Sequence, residues 1–219
     1  MLKISISSIK KLYIPVSIIV IALLLLQLNS RKNLSVAVNN TTGLEQVSDF
    51  FPISSYSFWE YKGIKKEQQV GGEITTTEIT KKISVTKIER IDSITTIYLE
   101  GGDYPYITFS KGVFDFEPTG YPETKFTLPL TLYKGARWGD EETMKQRDDG
   151  YYVWEVEDLF PRDFGGKTYN NCYRIAYKQL SGTQYKVFCQ GLGIVEEGYK
   201  HNGTVLEVKY ELISTNVVD

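Results

Sequence analysis

The chemistry open to this chain is narrow. It has one histidine, His201, so a Ser-His-Asp or Cys-His site would have to be built on that residue. His201 directly precedes Asn202-Gly203, a hairpin-tip dipeptide, where a solvated turn residue is expected rather than an oriented base. No G-x-S-x-G elbow, Gly-Lys-Ser/Thr phosphate loop or G-x-G-x-x-G opening a helix occurs. Gly191-Leu192-Gly193 lies between two strand-like stretches and reads as a bulge or tight turn. Asp140-Glu141-Glu142 and Asp148-Asp149 lack the alternating Asp spacing that gathers the about six to eight oxygens calcium takes, so a solvated acidic loop is expected. A His-rich or Cys-rich metal site is excluded by composition, and no cofactor is expected. A glycosidase-like carboxylate pair is the one enzymatic arrangement left open, because its spacing is three-dimensional.

The positive signal is aromatic. Tyr, Phe and Trp number 16, 10 and 3, together 13% of the chain, and they concentrate from Tyr104 to Trp154. Alternation along strands sends part of such a set to each face of a sheet. One part must be core; the other, if exposed on a concave face, would hold apolar or glycan ligands. The candidate ligand-binding residues are Tyr104, Tyr106, Tyr121, Trp138, Tyr152 and Trp154.

The elements that position them are strands. Residues 56–62, 73–90, 94–100, 106–110, 113–117, 151–159, 172–180, 184–190, 193–200 and 204–213 are rich in Ile, Val, Thr, Tyr and Phe. Gly71-Gly72, Gly101-Gly102, Lys111-Gly112, Asp149-Gly150, Gly165-Gly166, Ser181-Gly182 and Asn202-Gly203 separate them, with Asn-Gly the strongest type I′ signal. No 3.6-period stretch of crossover length intervenes, so parallel βαβ folds drop out. Phe51-Pro52-Ile53 before Trp59 and Leu128-Pro129-Leu130 before Trp138 form a weak repeat, which suggests a duplicated half-barrel or two sheets around one core. The expected fold is all-β, a strongly curved antiparallel sheet in the form of a half-open barrel or sandwich, spanning residues 49–219.

Ahead of it, residues 12–28 form an apolar run interrupted only by Pro15, Ser17 and Gln27. That length is at the short end for a membrane-spanning helix and slightly long for a signal-peptide core. Lys3, Lys10 and Lys11 outweigh Arg31 and Lys32, which keeps the N-terminus cytoplasmic and exports the body. Residues 1–28 therefore read as a single N-terminal transmembrane signal anchor and 29–48 as a polar linker; a cleaved signal ending at Ala37, with secretion, is the alternative. No Cys follows the run, so a lipid-modified N-terminal Cys is excluded. The five basic residues among 1–37 leave 20 basic and 27 acidic residues for the rest, and an acidic body repels nucleic-acid phosphates.

Export also favours a disulfide between Cys172 and Cys189. A hairpin closing on Gln179-Leu180-Ser181-Gly182, with Gly182 taking a positive φ, pairs residues whose numbers sum to 361, and the two cysteine numbers have that sum. A turn centred on Ser181-Gly182 would instead make the pair diagonal.

FFPISSYSFWEY (50–61), LPLTLYKGARW (128–138), GGKTYNNCYRI (165–175) and the stretch FCQGLGIVEEGYKHNGTVLEVKYELI (188–213) resemble a group of exported bacterial envelope proteins, many of them lipoproteins. The shared pattern is hydrophobic-Pro-hydrophobic with Gly-Trp, an Asn-Cys strand and a late Gly-x-Gly-x-Val strand. The resemblance implies a curved sheet like that of lipoprotein-carrier folds. Tyr56 stands where the pattern has Gly, and a helix replaces the lipidated Cys, which argues against a soluble shuttle. The function expected is a non-catalytic, membrane-anchored extracytoplasmic domain that binds an apolar, glycan or envelope-protein ligand. An assembly module of the envelope and a wall-polymer hydrolase are the rival expectations.

The topology is testable in intact cells: protease added outside the cytoplasm cuts the body, and mass analysis of the mature chain finds residues 1–28 attached. A mature start at Val38 establishes the cleaved signal instead.

Overall fold

The computed structural model describes residues 50–118, 125–147 and 149–217; the apolar run, the linker and Tyr121 lie outside them. The first half contributes β1 (Phe58–Gln68), β2 (Ile74–Ile91), β3 (Ile94–Glu100), β4 (Tyr106–Ser110), β5 (Val113–Glu117) and β6 (Phe126–Pro129). The second contributes β7 (Arg137–Gly139), β8 (Val153–Phe164), β9 (Lys167–Gln179), β10 (Gly182–Cys189), β11 (Gly193–His201) and β12 (Leu206–Thr215). One short helix, α1 (Glu141–Gln146), sits between β7 and β8.

All twelve strands belong to one antiparallel sheet in the order β6-β5-β4-β3-β2-β1-β12-β11-β10-β9-β8-β7, curved into a nearly closed barrel. Every neighbouring pair is a sequence-adjacent hairpin except β1–β12, which joins the two halves in the middle of the sheet. The sheet's ends are β6 and β7. Among the described residues no backbone ladder connects them, so they form the barrel's seam.

Register fixes what faces inward. Tyr61 pairs with Lys81 and Trp59 with Ile83, Val85 with Leu99, Ile107 with Phe116, and Phe116 with Phe126. On the other side of the barrel Val156 pairs with Ile175, and Phe188 with Tyr173. Phe114, Phe126, Leu128, Val156, Ile175 and Phe188 on this inner face are fully buried. Phe51, just before β1, lies across it with its ring 5.6 Å from both Trp59 and Phe114. Inner-face indole and phenol groups find acceptors on the β10–β11 hairpin: Trp59 Nε1 donates to the Leu192 carbonyl at 2.9 Å, and Tyr61 Oη to that of Ile194 at 2.8 Å.

The structure departs from the sequence expectations at several points. The strand pattern passed over β6 and β7, which are only four and three residues long. The two proline-tryptophan units take different places in the sheet: Trp59 is buried on a central strand, whereas Pro129 ends edge strand β6 and Trp138 lies on edge strand β7. Asn202-Gly203 makes no type I′ turn; neither residue has a positive φ, and His201 Nδ1 accepts from the backbone N–H groups of Gly203 and Thr204, both at 3.0 Å. Two-residue hairpin turns with both φ values positive fall instead at Lys111-Gly112 (51° and 77°) and Gly165-Gly166 (60° and 79°). Finally, Gly182 closes the β9–β10 hairpin without a positive φ; a Cβ there would lie 2.5 Å from the Lys200 carbonyl oxygen, so it is close strand approach that requires glycine.

The disulfide follows the expected register. Gln179 pairs with Gly182, Cys189 pairs with Cys172, and the two cysteines are bonded with Cα atoms 4.0 Å apart. Both are fully buried. The cross-link joins residues 17 apart, and a loop of this size removes roughly 3 kcal/mol of unfolded-chain entropy. The double variant Cys172→Ala/Cys189→Ala is expected to unfold with a free energy about 3 kcal/mol lower in urea titrations, and the unreduced wild-type chain is expected to show no free thiol under denaturing conditions.

Candidate functional site

Two places in the barrel bring polar groups and aromatic rings together. The first is the seam. Trp138 on β7 pairs with Trp154 on β8, and Trp154 with Tyr177 on β9, so the three rings form a cross-strand row. Trp154 is buried at the centre of this row, 5.0 Å from the Tyr177 ring and 4.8 Å, edge-on, from Phe126 of β6. Trp138 crosses the seam: its Nε1 donates to the Thr127 carbonyl of β6 at 2.7 Å. Together these rings hold the two sheet ends against each other where no ladder does.

An open groove of about 450 Å³ runs along this junction, lined by Lys125, Thr127, Trp138, Asp140, Tyr152, Trp154 and Tyr177. Tyr152 has φ 63°, a left-handed conformation uncommon for a bulky side chain, held by its N–H donating to the Lys178 carbonyl at 2.7 Å. Arg147 lies over the Tyr152 ring at 5.1 Å and pairs with Asp149 at 2.9 Å. Asp140 is the N-cap of α1, accepting from Thr143 N at 2.8 Å and Thr143 Oγ1 at 2.9 Å, and these hydrogen bonds hold its carboxyl below the usual pKa. The acidic stretch after Trp138 is thus a helix start, and among the described residues no His/Cys/Asp/Glu group is arranged to hold a metal.

The structure gathers three of the six sequence candidates here: Trp138, Tyr152 and Trp154. Tyr104 is elsewhere, half-buried against Phe116 at 5.5 Å on the wall of the barrel interior. Tyr106 is also apart from the groove, exposed on β4 with its ring 6.4 Å from Tyr98. Tyr121 lies outside the described residues. Tyr177 and Lys125 were missed because β6 was not recognised and Tyr177 sits in a strand with apolar residues on both faces.

The second place is inside. Lys81 of β2 and Lys186 of β10 both bond Glu197 of β11, Lys81 through Oε1 and Lys186 through Oε2 at 2.7 Å. Their side chains are 13% and 3% exposed. Lys81 lies 4.6 Å from the Tyr210 ring centre, and Lys186 5.2 Å from that of Tyr104. Burial lowers the Lys81 pKa to about 8 against an opposing pull from Asp103. Burial, then repulsion by Lys81, lowers Lys186 to about 7, again opposed by Asp103. Glu197 is thus shared between two buried ammonium groups, and the more exposed Asp103 stands 4.0 Å from Lys81 as a second carboxylate.

Glu196, the next residue on β11, shows the contrasting arrangement. Burial opposes its ionisation, but hydrogen bonds from Arg162 and Tyr185, both at 2.9 Å, outweigh burial and lower its pKa. An apolar slot of about 40 Å³ adjoins the lysine pair, lined by Phe51, Trp59, Ile83, Leu99 and Phe116 among others. Nothing in the sequence pattern distinguished this cluster from solvated strand charges.

No protein-family model matches the chain, and no curated protein is similar to it in sequence. Several solved structures are similar at low identity, three of them as follows. A protein from Bacteroides fragilis, described as exported and as having a YmcC-like fold, is 13% identical over 76% of this chain and 98% of its own, with a TM-score of 0.41. A chain from Parabacteroides distasonis described as a lipoprotein is 14% identical over 77% and 99%, with a TM-score of 0.35. A DUF1329 family protein from Desulfovibrio piger is 11% identical over 79% and 88%, with a TM-score of 0.21. Likeness at these scores decides nothing about this chain.

The lysine cluster generates an asymmetric prediction. Glu197→Gln removes the carboxylate that both buried amines share and is expected to cost about 3 kcal/mol, whereas Lys186→Met keeps the Lys81–Glu197 pair and is expected to be neutral or stabilising. The pH dependence has a definite sign. Above pH 7 folded Lys186 is neutral while in the unfolded chain, at the ordinary lysine value of 10.5, it still binds a proton, so stability rises with pH from about 7. Lys81 adds to the rise from about 8. Urea titrations at pH 7 and 9 check both statements, and Lys186→Met flattens the slope.

Proposed function

We propose that this chain is a membrane-anchored, extracytoplasmic binding protein without catalytic chemistry, and that its ligand is a glycan lodged in the seam groove. The observation that carries the reading is the convergence of Trp138, Tyr152 and Tyr177 over Trp154, flanked by Lys125 and Asp140. Aromatic faces beside a few polar groups suit sugars, which present apolar C–H faces and hydroxyl edges. The left-handed Tyr152 supports it, because backbone strain of order 1 kcal/mol holds that ring at the groove. An acyl ligand is a poorer fit, since the apolar slot of about 40 Å³ holds roughly three water-sized groups. Hydrolysis by paired carboxylates is also a poorer fit: Asp140 is the one carboxylate lining the groove among the described residues, and it caps α1.

The test is a glycan array probed with the full-length chain, compared with Tyr152→Asn. Asn removes the ring and tolerates the left-handed backbone, so the variant is expected to be as stable as wild type or up to about 1 kcal/mol more so. It is expected to bind about tenfold more weakly. Absence of glycan binding, or unchanged binding by the variant, sinks the proposal.

A further inference from the structure

We propose that the open flank of β2 is a dimerisation surface, on which a second copy of this chain pairs strand to strand. β2 is 18 residues long, and its two flanks are unequally covered. β1 pairs with it from Ile74 to Ser84, whereas β3 pairs with it only from Ser84 to Ile91. Residues 74–83 therefore have a ladder on one flank and, among the described residues, none on the other. In an antiparallel ladder the backbone groups of successive residues point to alternate flanks. Val85 N–H donates to the Ser57 carbonyl at 2.8 Å in the β1–β2 register, so odd-numbered positions bond toward β1. The N–H and C=O groups of Ile74, Thr76, Glu78 and Thr80 thus point to the open flank. The series ends at Lys82, whose carbonyl oxygen would lie 2.0 Å from a Cβ placed on Gly101.

A flank of this kind invites another strand unless it is defended. Beyond β7, the corresponding flank of β8 carries Pro161 and two bulges, after Val156 and after Phe160. Between Ile74 and Ser84 β2 has neither proline nor bulge, and Thr75, Thr76, Thr77, Glu78 and Thr80 are exposed.

The residues along this flank choose the partner. Two copies related by a twofold axis pair positions whose numbers have an even sum, because opposed residues present the same face of the ladder. A sum of 154 sets Ile74 against Thr80 and Thr76 against Glu78, with Thr77 against its own copy on the axis. All four outward residues of each copy are then bonded, and no like charges are opposed. The same register brings Glu73 of each copy to the Lys81-Lys82 end of the other. A sum of 156 sets Glu78 against Glu78, and 158 runs into Lys82 and Ser84, where Gly101 and Glu100 already lie. A sum of 152 sets Thr80 against Gly72, whose N–H is already bonded to the Gln69 carbonyl within the turn. One register therefore satisfies the whole flank, and its occupant is the chain itself.

The experiment is cysteine cross-linking of the full-length chain in detergent micelles under mild oxidation. Thr77→Cys places its thiol opposite the same thiol of the copy, in a non-hydrogen-bonded pair with Cα atoms about 4.5 Å apart. Thr75→Cys lies four residues along the ladder from its own copy, roughly 13 Å away. Thr77→Cys is expected to give about tenfold more covalent dimer than Thr75→Cys on non-reducing gels. Adding Thr76→Pro removes an outward N–H without touching the β1 ladder, and is expected to abolish the cross-link while leaving cooperative unfolding intact. In the wild-type chain the amides of Thr76, Glu78 and Thr80 are expected to exchange several-fold more slowly on concentration, while those of Thr77 and Ile79, bonded to β1, do not change. Equal cross-linking at positions 75 and 77, a cross-link that survives Thr76→Pro, or exchange at Thr76, Glu78 and Thr80 that ignores concentration overturns the proposal. If Thr76→Pro fails to unfold cooperatively, amide exchange in the wild-type chain decides.

Discussion

A twelve-stranded antiparallel sheet has two ends, and an exposed end is a row of unpaired backbone groups inviting another chain. Here the two ends are brought face to face, and side chains close what the backbone leaves open. The indole of Trp138 reaches the Thr127 carbonyl, and Phe126 meets Trp154 edge-on behind it. The inner face becomes a dry interior only if this junction holds. The groove, the slot and the lysine pair all exist because a curved sheet is closed along a line of rings rather than a ladder of hydrogen bonds.

That mode of closure explains why polar and apolar features alternate around the barrel. A seam made of large flat side chains leaves grooves between them, and Lys125 and Asp140 border the one seen here. On the far wall the ladder is continuous, and Lys81, Lys186 and Glu197 carry charge toward the interior. Glu196 and Glu197 are adjacent on β11 and face opposite ways, so alternation alone gives one carboxylate three cationic or hydroxyl donors and makes the other divide itself between two amines.

The long strands were legible in the sequence because Gly-containing turns bracket β-branched and aromatic runs, and the cysteine pair was legible because hairpin arithmetic is rigid once the turn is placed. What was not legible has specific causes. β6 and β7 are too short to show a period, so the seam could not be foreseen from FTLP and RWG. Around β9 to β11 apolar residues occupy both parities, as in Val187-Phe188, so no pattern told which face Lys186 would take. Tyr106 and Trp154 have similar surroundings in sequence, yet register sends one to solvent and the other beneath the groove. Asn202-Gly203 carried the best local turn signal, but His201 accepts the loop's N–H groups and sets another geometry.

The pairing of β1 with β12 has a bearing on how the chain is made. Trp59 lies opposite Thr215, so one flank of β1 must wait through synthesis of nearly the whole barrel before its partner exists. During that interval β1 is a provisional border strand, hydrogen-bonded to β2 on one side and open on the other. Lys62, Lys65 and Lys66 are spaced along its outer half, where mutual repulsion discourages two nascent chains from pairing border to border. In the finished barrel β12 covers that flank, and Lys65 and Lys66 stand opposite Val208 and Glu207. The same lysines thus serve as guards for the growing polypeptide and as ordinary surface charge once the last strand has docked.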